Sequence, residues 1–524
     1  MRTVYVLTSV IVCMAILLAT GCQLLFPSKP FIIRADGSAI VQYGDYLYLL
    51  GGMDEDSRYL KQVLIAVIQD PEDLSSLKWE AGTALPDQLA FFSAFAAGRR
   101  LYIIGGENDA GPQRSIYYTY INDDGSLASP WRVNPVSLPY PLSRMGFALH
   151  DGRIFLAGGC TDSGLSDSVI HARISPSVHI GHWYESTERL PTPRYHTSAQ
   201  VMYAPEARLT VAGGIDASDE VLDDLISYAI GTYGKLEAPV SHGDMPEKLY
   251  DPILSPEPGS ITVLGGYSSS GEPPAGTYRF DFSASSWTAH GSAFYASGPW
   301  NVRSRGKLWA PAAGSDTLSF ISHAELFAPS VPTLFPGSGL VGDKVRPVVI
   351  SEPGSTVYFS IDGSTWNTSV PSISGDTALL VQSKRDGTYS PEVTHIYSTQ
   401  TLGLAIFISG TISLQASSEP EFQFLQMGSS TSDQWKRIIL TSREDLMMYW
   451  KDSRTCQAYS AAAALTLYEF DLHTEVLDRF GDPVRGRSSD TDSPIQLTLN
   501  PGTFYLHIQA DAQTTLGLSL NRVQ

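Results

Sequence analysis

Leu101-Tyr102-Ile103-Ile104-Gly105-Gly106 is a short apolar run closed by two glycines, and the chain repeats it. The other copies are Leu47-Tyr48-Leu49-Leu50-Gly51-Gly52, Ile154-Phe155-Leu156-Ala157-Gly158-Gly159, Leu209-Thr210-Val211-Ala212-Gly213-Gly214 and Ile261-Thr262-Val263-Leu264-Gly265-Gly266. Their second glycines are spaced by 54, 53, 55 and 52 residues, and a worn sixth copy ends at Ala313-Gly314, 48 further on. An unrelated mark keeps the same beat. Trp79, Trp131 and Trp183 follow one another at 52, Lys235 holds the next place in register, and Trp287 returns in phase. A third apolar run lies between the two marks in each period, at 63–68, 116–121, 169–174, 225–230, 277–282 and 318–322. Counting one strand before the Gly-Gly strand, each period holds four short strands, and four antiparallel strands in about 50 residues is the unit of a β-propeller blade. One such sheet cannot bury both faces; stacked in a ring, each sheet packs on two neighbours and leaves only short edges open.

The details of the period resemble the bacterial kelch repeat. Asn122-Asp123-Asp124-Gly125-Ser126 supplies the turn, followed by Trp131, Leu138-Pro139 and Gly158-Gly159; Leu190-Pro191-Thr192-Pro193-Arg194 stands before Gly213-Gly214 in the same way. The resemblance covers residues 31–328 and implies a six-bladed propeller in which the tryptophans pack between blades. Lys235 and the worn sixth Gly-Gly depart from the pattern. The sixth repeat lacks a clear fourth strand, and Phe31-Ile32-Ile33 stands before the first repeat without a partner. These residues are expected to close the ring.

Two further units follow. Residues 329–399 carry Tyr358-Phe359-Ser360-Ile361-Asp362-Gly363-Ser364 and a later strand near 378–383. This looks like the small immunoglobulin-like module at the end of chitobiases, an accessory rather than a catalyst. Residues 400–524 alternate apolar and polar side chains. Asn500-Pro501-Gly502-Thr503-Phe504 and Leu465-Thr466-Leu467-Tyr468 resemble the C-terminal β-sandwich of secreted bacterial peptidases. The expected fold is therefore all-β: a six-bladed kelch-type β-propeller followed by two β-sandwich modules.

The N-terminus reads as an address. An apolar stretch after Arg2 leads to Leu18-Ala19-Thr20-Gly21-Cys22, which resembles the lipobox of bacterial lipoproteins. The resemblance implies a signal peptide over 1–21, cleavage between Gly21 and Cys22, lipid on Cys22, and a tether over 22–30 leading into the repeats. An ordinary signal peptide or an uncleaved membrane anchor is the alternative. The expected location is the bacterial cell envelope, with the membrane as a partner through the anchor. Cys13 would leave with the signal, so Cys160 and Cys456, 296 positions apart, read as two buried thiols.

Composition excludes some roles. There are 54 acidic and 35 basic residues, a net charge of -19, so nucleic acid is not an expected partner. The 11 histidines show no paired metal spacing, and no zinc motif, phosphate loop or Gly-x-Ser-x-Gly elbow appears; neither cofactor nor metal is expected. His179-Ile180-Gly181-His182 spells a synthetase signature, but it lies in a β-repeat and not at the opening of a helix.

Antiparallel order places the loops after Gly-Gly at one end of the ring. They carry Asp54, Glu55, Asp56, Glu107, Asp109, Asp162, Asp167, Asp216, Asp219, Glu220, Asp223 and Asp224. The innermost strands begin at that end, near Arg144 and Arg194-Tyr195-His196. The expectation is a binding mouth at Arg144, Arg194, Tyr195 and His196 inside an acidic rim that includes Asp54, Glu55, Asp56, Asp223 and Asp224. Such a mouth would bind a protein or glycan partner. The alternatives are a kelch-type, sialic acid epimerase-like sugar enzyme using Arg144, Arg194, Tyr195 or His196, or simply solvated loops over structural arginines.

Overall fold

The computed structural model describes residues 36–292 with breaks at 55, 71–72, 75–76, 175–178, 204–205 and 232–233. It then describes three strands within 302–323, residues 328–399 except 342–344, and strands alone from 408 onward. Gly21, Cys22, Phe31-Ile32-Ile33, Glu55 and Cys456 lie outside the described residues. The fold is all-β, without an α-helix among the described residues, and most of its sheets are antiparallel.

Five four-stranded sheets follow one another, each laid down in chain order. Their first strands are Ser38–Tyr43, Ser93–Ala97, Gly146–His150, Ser198–Tyr203 and Ile253–Glu257. Each pairs with the Gly-Gly strand that follows, as Ser38↔Gly51 through Tyr43↔Tyr46 in the first sheet. A three-stranded sheet comes next, formed by Val302–Ser304, Lys307–Pro311 and Phe320–His323. Burial falls from the second and third strands outward. Leu47 to Leu50 are completely buried and Ser168–Ile174 is buried throughout, whereas Val240–Asp244, a fourth strand, is mostly exposed. The second strands read as continuous apolar runs because both of their faces meet a neighbouring sheet.

The cores lie between sheets rather than within them. Tyr48 and Leu50 of the first sheet pack with Leu101 and Ile103 of the second, and Trp131 closes that layer. Tyr102 and Ile104 meet Ile154 and Leu156 with Trp183, and Phe155 and Ala157 meet Leu209 and Val211. Ala212 and Leu225 meet Ile261 and Val263. Leu47 and Leu49, on the other face of the first sheet, pack with Trp309 of the three-stranded sheet. Where the tryptophan series lapses at Lys235, the next residue, Leu236, fills the core place at 3% exposure. Burying each of these side chains stabilises the fold by roughly 1.5–3 kcal/mol.

The glycine pairs join consecutive sheets. Both residues of every pair take positive φ, for example 57° at Gly213 and 110° at Gly214. The second glycine's N–H donates to a carbonyl at the entrance of the next sheet: Gly52 to Leu89 at 2.9 Å, Gly106 to Leu142 at 2.9 Å, Gly159 to Arg194 at 2.8 Å and Gly214 to Leu249 at 2.9 Å. A Cβ on Gly213 would sit 2.1 Å from that same Leu249 oxygen. Left-handed backbone and close approach together leave no residue but glycine at this joint.

Beyond the six sheets, residues 330–399 build a small unit around Leu334, Phe359, Leu379, Val381 and Tyr397. Inside it Arg385 and Glu352 form a buried ion pair. Thr377–Arg385 lies between Thr356–Ser360 and Val393–Thr399, and the latter takes Gly339–Val341 in parallel on its far side. From 408 onward two sheets alternate in chain order. One centres on Gly502–Gln509 between Asp433–Leu440 and Ala464–Tyr468. The other centres on Glu444–Asp452 and Thr515–Arg522.

Candidate functional site

Aligned on the glycine pairs, the entrances to the five sheets form one column of triplets: Ala35-Asp36-Gly37, Leu89-Ala90-Phe91, Leu142-Ser143-Arg144, Arg194-Tyr195-His196 and Leu249-Tyr250-Asp251. The third member of every triplet lies in the left-handed region, with φ of 70° at Gly37, 54° at Phe91, 55° at Arg144, 52° at His196 and 49° at Asp251. Their main chains are linked in series. Phe91 N–H donates to Gly37 O at 2.6 Å, Arg144 to Phe91 at 3.0 Å, His196 to Arg144 at 3.0 Å and Asp251 to His196 at 2.8 Å. All five line one cavity of about 550 Å³, together with Asp36, Tyr250 and Tyr267. Left-handed backbone costs a non-glycine residue roughly 1–2 kcal/mol, and such strain gathers where structure serves a site.

A chain of polar side chains crosses this mouth: Glu107 from the hairpin that follows the second sheet's glycine pair, then Arg144, His196 and Asp251 from the entrances of the third, fourth and fifth sheets. Arg144 donates through Nε to Glu107 Oε2 at 3.0 Å and through its second terminal nitrogen to Glu107 Oε1 at 2.6 Å. Its other terminal nitrogen is 2.7 Å from His196 Nε2, and its guanidinium stacks 3.6 Å above the Phe91 ring. His196 Nδ1 is 2.7 Å from Asp251 Oδ2. Ser143 and Tyr59 donate to Glu107 at 2.8 Å and 3.2 Å. All four side chains are largely buried, with exposures of 12% for Glu107, 24% for Arg144, 12% for His196 and 25% for Asp251.

The donor inventory fixes protons in this chain. A guanidinium only donates, so His196 Nε2 must accept; the ring proton then lies on Nδ1 and points at Asp251. His196 is therefore a neutral imidazole of one tautomer while Arg144 holds its place. Burial alone would raise the Glu107 carboxyl, but the Arg144 hydrogen bonds and charge outweigh it and hold the group below its ordinary value. Burial pushes the Tyr195 and Tyr250 phenols up, and the charge of Asp219 for the first and Asp251 for the second adds to this.

The structure divides the four expected mouth residues. Arg144 and His196 line the cavity. Tyr195 is half-buried beside it, its ring 5.1 Å from that of His196, and its backbone pairs with Ile215. Arg194 does not reach the mouth, which corrects the expectation of a second central cation. It occupies the slot that is leucine at 89, 142 and 249, is 0% exposed, and pairs with both oxygens of Asp224 at 2.5 and 2.7 Å. Asp224 is thereby removed from the acidic rim as a free charge and becomes the partner of a buried guanidinium. Asp223 is half-buried. Asp54 accepts the N–H groups of Asp56 and Arg58 at 3.0 and 2.9 Å, and Asp56 pairs with Arg58 at 2.6 Å, so this part of the rim carries its own counter-charge.

Glu107 was read in the sequence only as one loop acid among many, and Asp251, Phe91 and Tyr250 were not singled out. The column of triplets is the signal that finds three of them: Phe91 stands one repeat before Arg144, Asp251 one repeat after His196, and Tyr250 one repeat after Tyr195. Cys160 is a half-buried free thiol in the short strand Cys160–Thr161, paired with Leu165 and Gly164; burial pushes it up although the charge of Arg144 acts the other way. Among the described residues no group of His, Cys, Asp and Glu could hold a metal ion. Compared with known proteins, the chain matches no family model, and no curated protein is significantly similar to it.

Proposed function

We propose that this is a lipid-anchored protein of the bacterial cell envelope that binds a protein or glycan partner at one end of a six-bladed kelch-type propeller. In this reading residues 31–328 form the ring, 329–399 an immunoglobulin-like spacer and 400–524 a C-terminal β-sandwich, all carried outward from the membrane on Cys22. The observation that supports it best is the mouth: loops of five successive sheets meet around one cavity with aromatic walls and a preformed chain from Glu107 through Arg144 and His196 to Asp251. A concave site of this size with a few convergent polar groups is the usual form of a ligand site. The test is capture of envelope proteins and a glycan array with the purified chain. A partner retained by wild type and lost in Arg144→Ala and His196→Ala supports the reading. Equal retention by all three places binding elsewhere.

One observation favours a second reading, a sugar-modifying enzyme. Asp251 holds His196 in a single tautomer, the arrangement that prepares an imidazole for proton transfer. Turnover of a sugar by wild type, lost in His196→Gln, would select it.

A further inference from the structure

Arg144 and His196 are held 2.7 Å apart by groups that do not depend on one another: Glu107 and the Phe91 ring on one side, Asp251 on the other. The contact exists only while Nε2 is a bare acceptor. A proton there would place two cations edge to edge, with Arg144 unable to give up its charge. Neither side chain can be withdrawn freely. Arg144 is tied by two hydrogen bonds to Glu107, His196 by one to Asp251, and each backbone is fixed by its link in the left-handed series. The relief available in this geometry is an acceptor between them that takes one N–H from each, and the cavity opens directly onto the pair.

We propose that the mouth is an oxyanion site that forms when His196 takes up a proton at Nε2, with Arg144 and His196 as its two donors. This rests on the mouth being the ligand site and names the charge of the group it takes: a carboxylate, sulfate or phosphate borne by the partner. The groups facing His196 are Arg144 from the third sheet, Asp251 and Tyr250 from the fifth, Phe91 from the second and Tyr195 beside it; Glu107 acts through Arg144. Glu107 and Asp251 are already engaged by these two groups, so the N–H groups of Arg144 and His196 are what the site offers an arriving anion, with Asp36 as the further carboxylate lining the cavity.

The test uses the full chain in detergent, with sulfate as a probe that does not titrate and acetate as its planar counterpart. Calorimetry is run at about pH 5.5 and about pH 8. Wild type should bind at least one probe more tightly at about pH 5.5 than at about pH 8, by no more than about tenfold per pH unit, the limit for one linked proton. The preferred probe identifies the source chemistry. His196→Gln, whose amide oxygen can still accept from Arg144, should lose the pH dependence, and Arg144→Gln should lose binding at both pH values. Nitrogen-15 spectra of wild-type imidazoles, with His196→Gln identifying the resonance, should show the Nδ1–H tautomer at about pH 8. Equal affinity for both probes at the two pH values, an unchanged pH dependence in His196→Gln, or an Nε2–H tautomer would each overturn the proposal. A partner captured through Arg144 despite such a result would leave the binding reading standing without the oxyanion.

Discussion

Arg194 and Asp224 lie 30 residues apart and face each other with two parallel hydrogen bonds, the guanidinium wholly buried and the carboxylate a quarter exposed. Arg194 also donates to the carbonyls of Thr192 and Gly213, so a charged side chain is fully provided for in a slot that three other repeats fill with leucine. Removing one member strands the other. Asp224→Ala should lower unfolding free energy by about 3–5 kcal/mol, as for other broken buried pairs. Arg194→Leu combined with Asp224→Leu should recover most of that, because the slot accepts leucine elsewhere. Denaturant titration of the three proteins checks this, and a double variant no better than Asp224→Ala would refute the slot equivalence.

The glycine joint makes a sharp comparison. Gly44 and Gly213 have nearly equal φ, 56° and 57°, but a Cβ on Gly44 meets nothing within 4 Å while one on Gly213 meets the Leu249 oxygen at 2.1 Å. Gly44→Ala should therefore lose only about 1–2 kcal/mol, the backbone penalty alone. Gly213→Ala should lose more than about 4 kcal/mol or fail to accumulate as folded protein, because backbone must move at the seam between two sheets. Comparable midpoints for the two variants would mean that the joint yields easily.

Acid should unfold the chain in two stages. His171 is 2% exposed, and burial lowers it from the usual imidazole value to about 3. Its folded value lies below its unfolded one, so its contribution is complete above about pH 6.5 and is lost as pH falls toward the folded value, by at most about 1.4 kcal/mol per pH unit. His171→Phe should reduce the fall in stability between about pH 6 and 4, leaving the part that His150 contributes, since burial lowers it to about 4 as well. Asp151 contributes at lower pH. Burial would raise its carboxyl, but the charge of His395 and its hydrogen bonds to His395 and Ser338 hold it well below the ordinary range. Its contribution is present above the unfolded carboxylate value near 4 and disappears as pH falls further, so Asp151→Asn should remove the second stage. Thermal melts across pH read both effects.

The rim acids should govern rate and not stability. The Asp56–Arg58 pair is well exposed, at 66% and 71%, so Asp56→Asn should change unfolding free energy by less than about 1 kcal/mol. Under the binding proposal it should slow association with a basic partner surface at low salt and do little at high salt. Stopped-flow association at two ionic strengths distinguishes this from a contact role, which would appear in dissociation instead.

Lipidation has a direct measurement. Cys22→Ala should leave an unprocessed precursor that stays out of the detergent phase on partitioning, where the wild type enters it. Normal cleavage and partitioning of the variant would remove the lipobox reading.

The periodic features were legible in the sequence because they are imposed by neighbours one repeat away. A glycine pair is demanded by a carbonyl of the next sheet, and an apolar strand by two facing sheets, so both recur at constant spacing. The four-strand count of the first five periods was readable for the same reason. Site residues obey no such demand. Arg144 and Arg194 look alike in a linear reading, each an arginine at the start of an inner strand. They separate only when the triplets are aligned, which puts Arg194 on the buried leucine position and Arg144 two places later at the mouth. The partner of Arg194 was legible only as an acid in an acidic loop, since what commits Asp224 is the direction of its side chain in the folded sheet.

The links from Gly37 through Phe91, Arg144 and His196 to Asp251 consist entirely of main-chain atoms. The links therefore do not depend on side-chain chemistry: a position must tolerate left-handed backbone, which excludes β-branched residues, and at Gly37 a Cβ would also stand 2.7 Å from that of Ala90. A glycine, a phenylalanine, an arginine, a histidine and an aspartate already occupy equivalent places around one cavity. The lining of the mouth is in effect a five-letter word spelled on a fixed frame, and the letters after the glycine can be exchanged singly, changing the chemistry of the cavity while the frame keeps its connections.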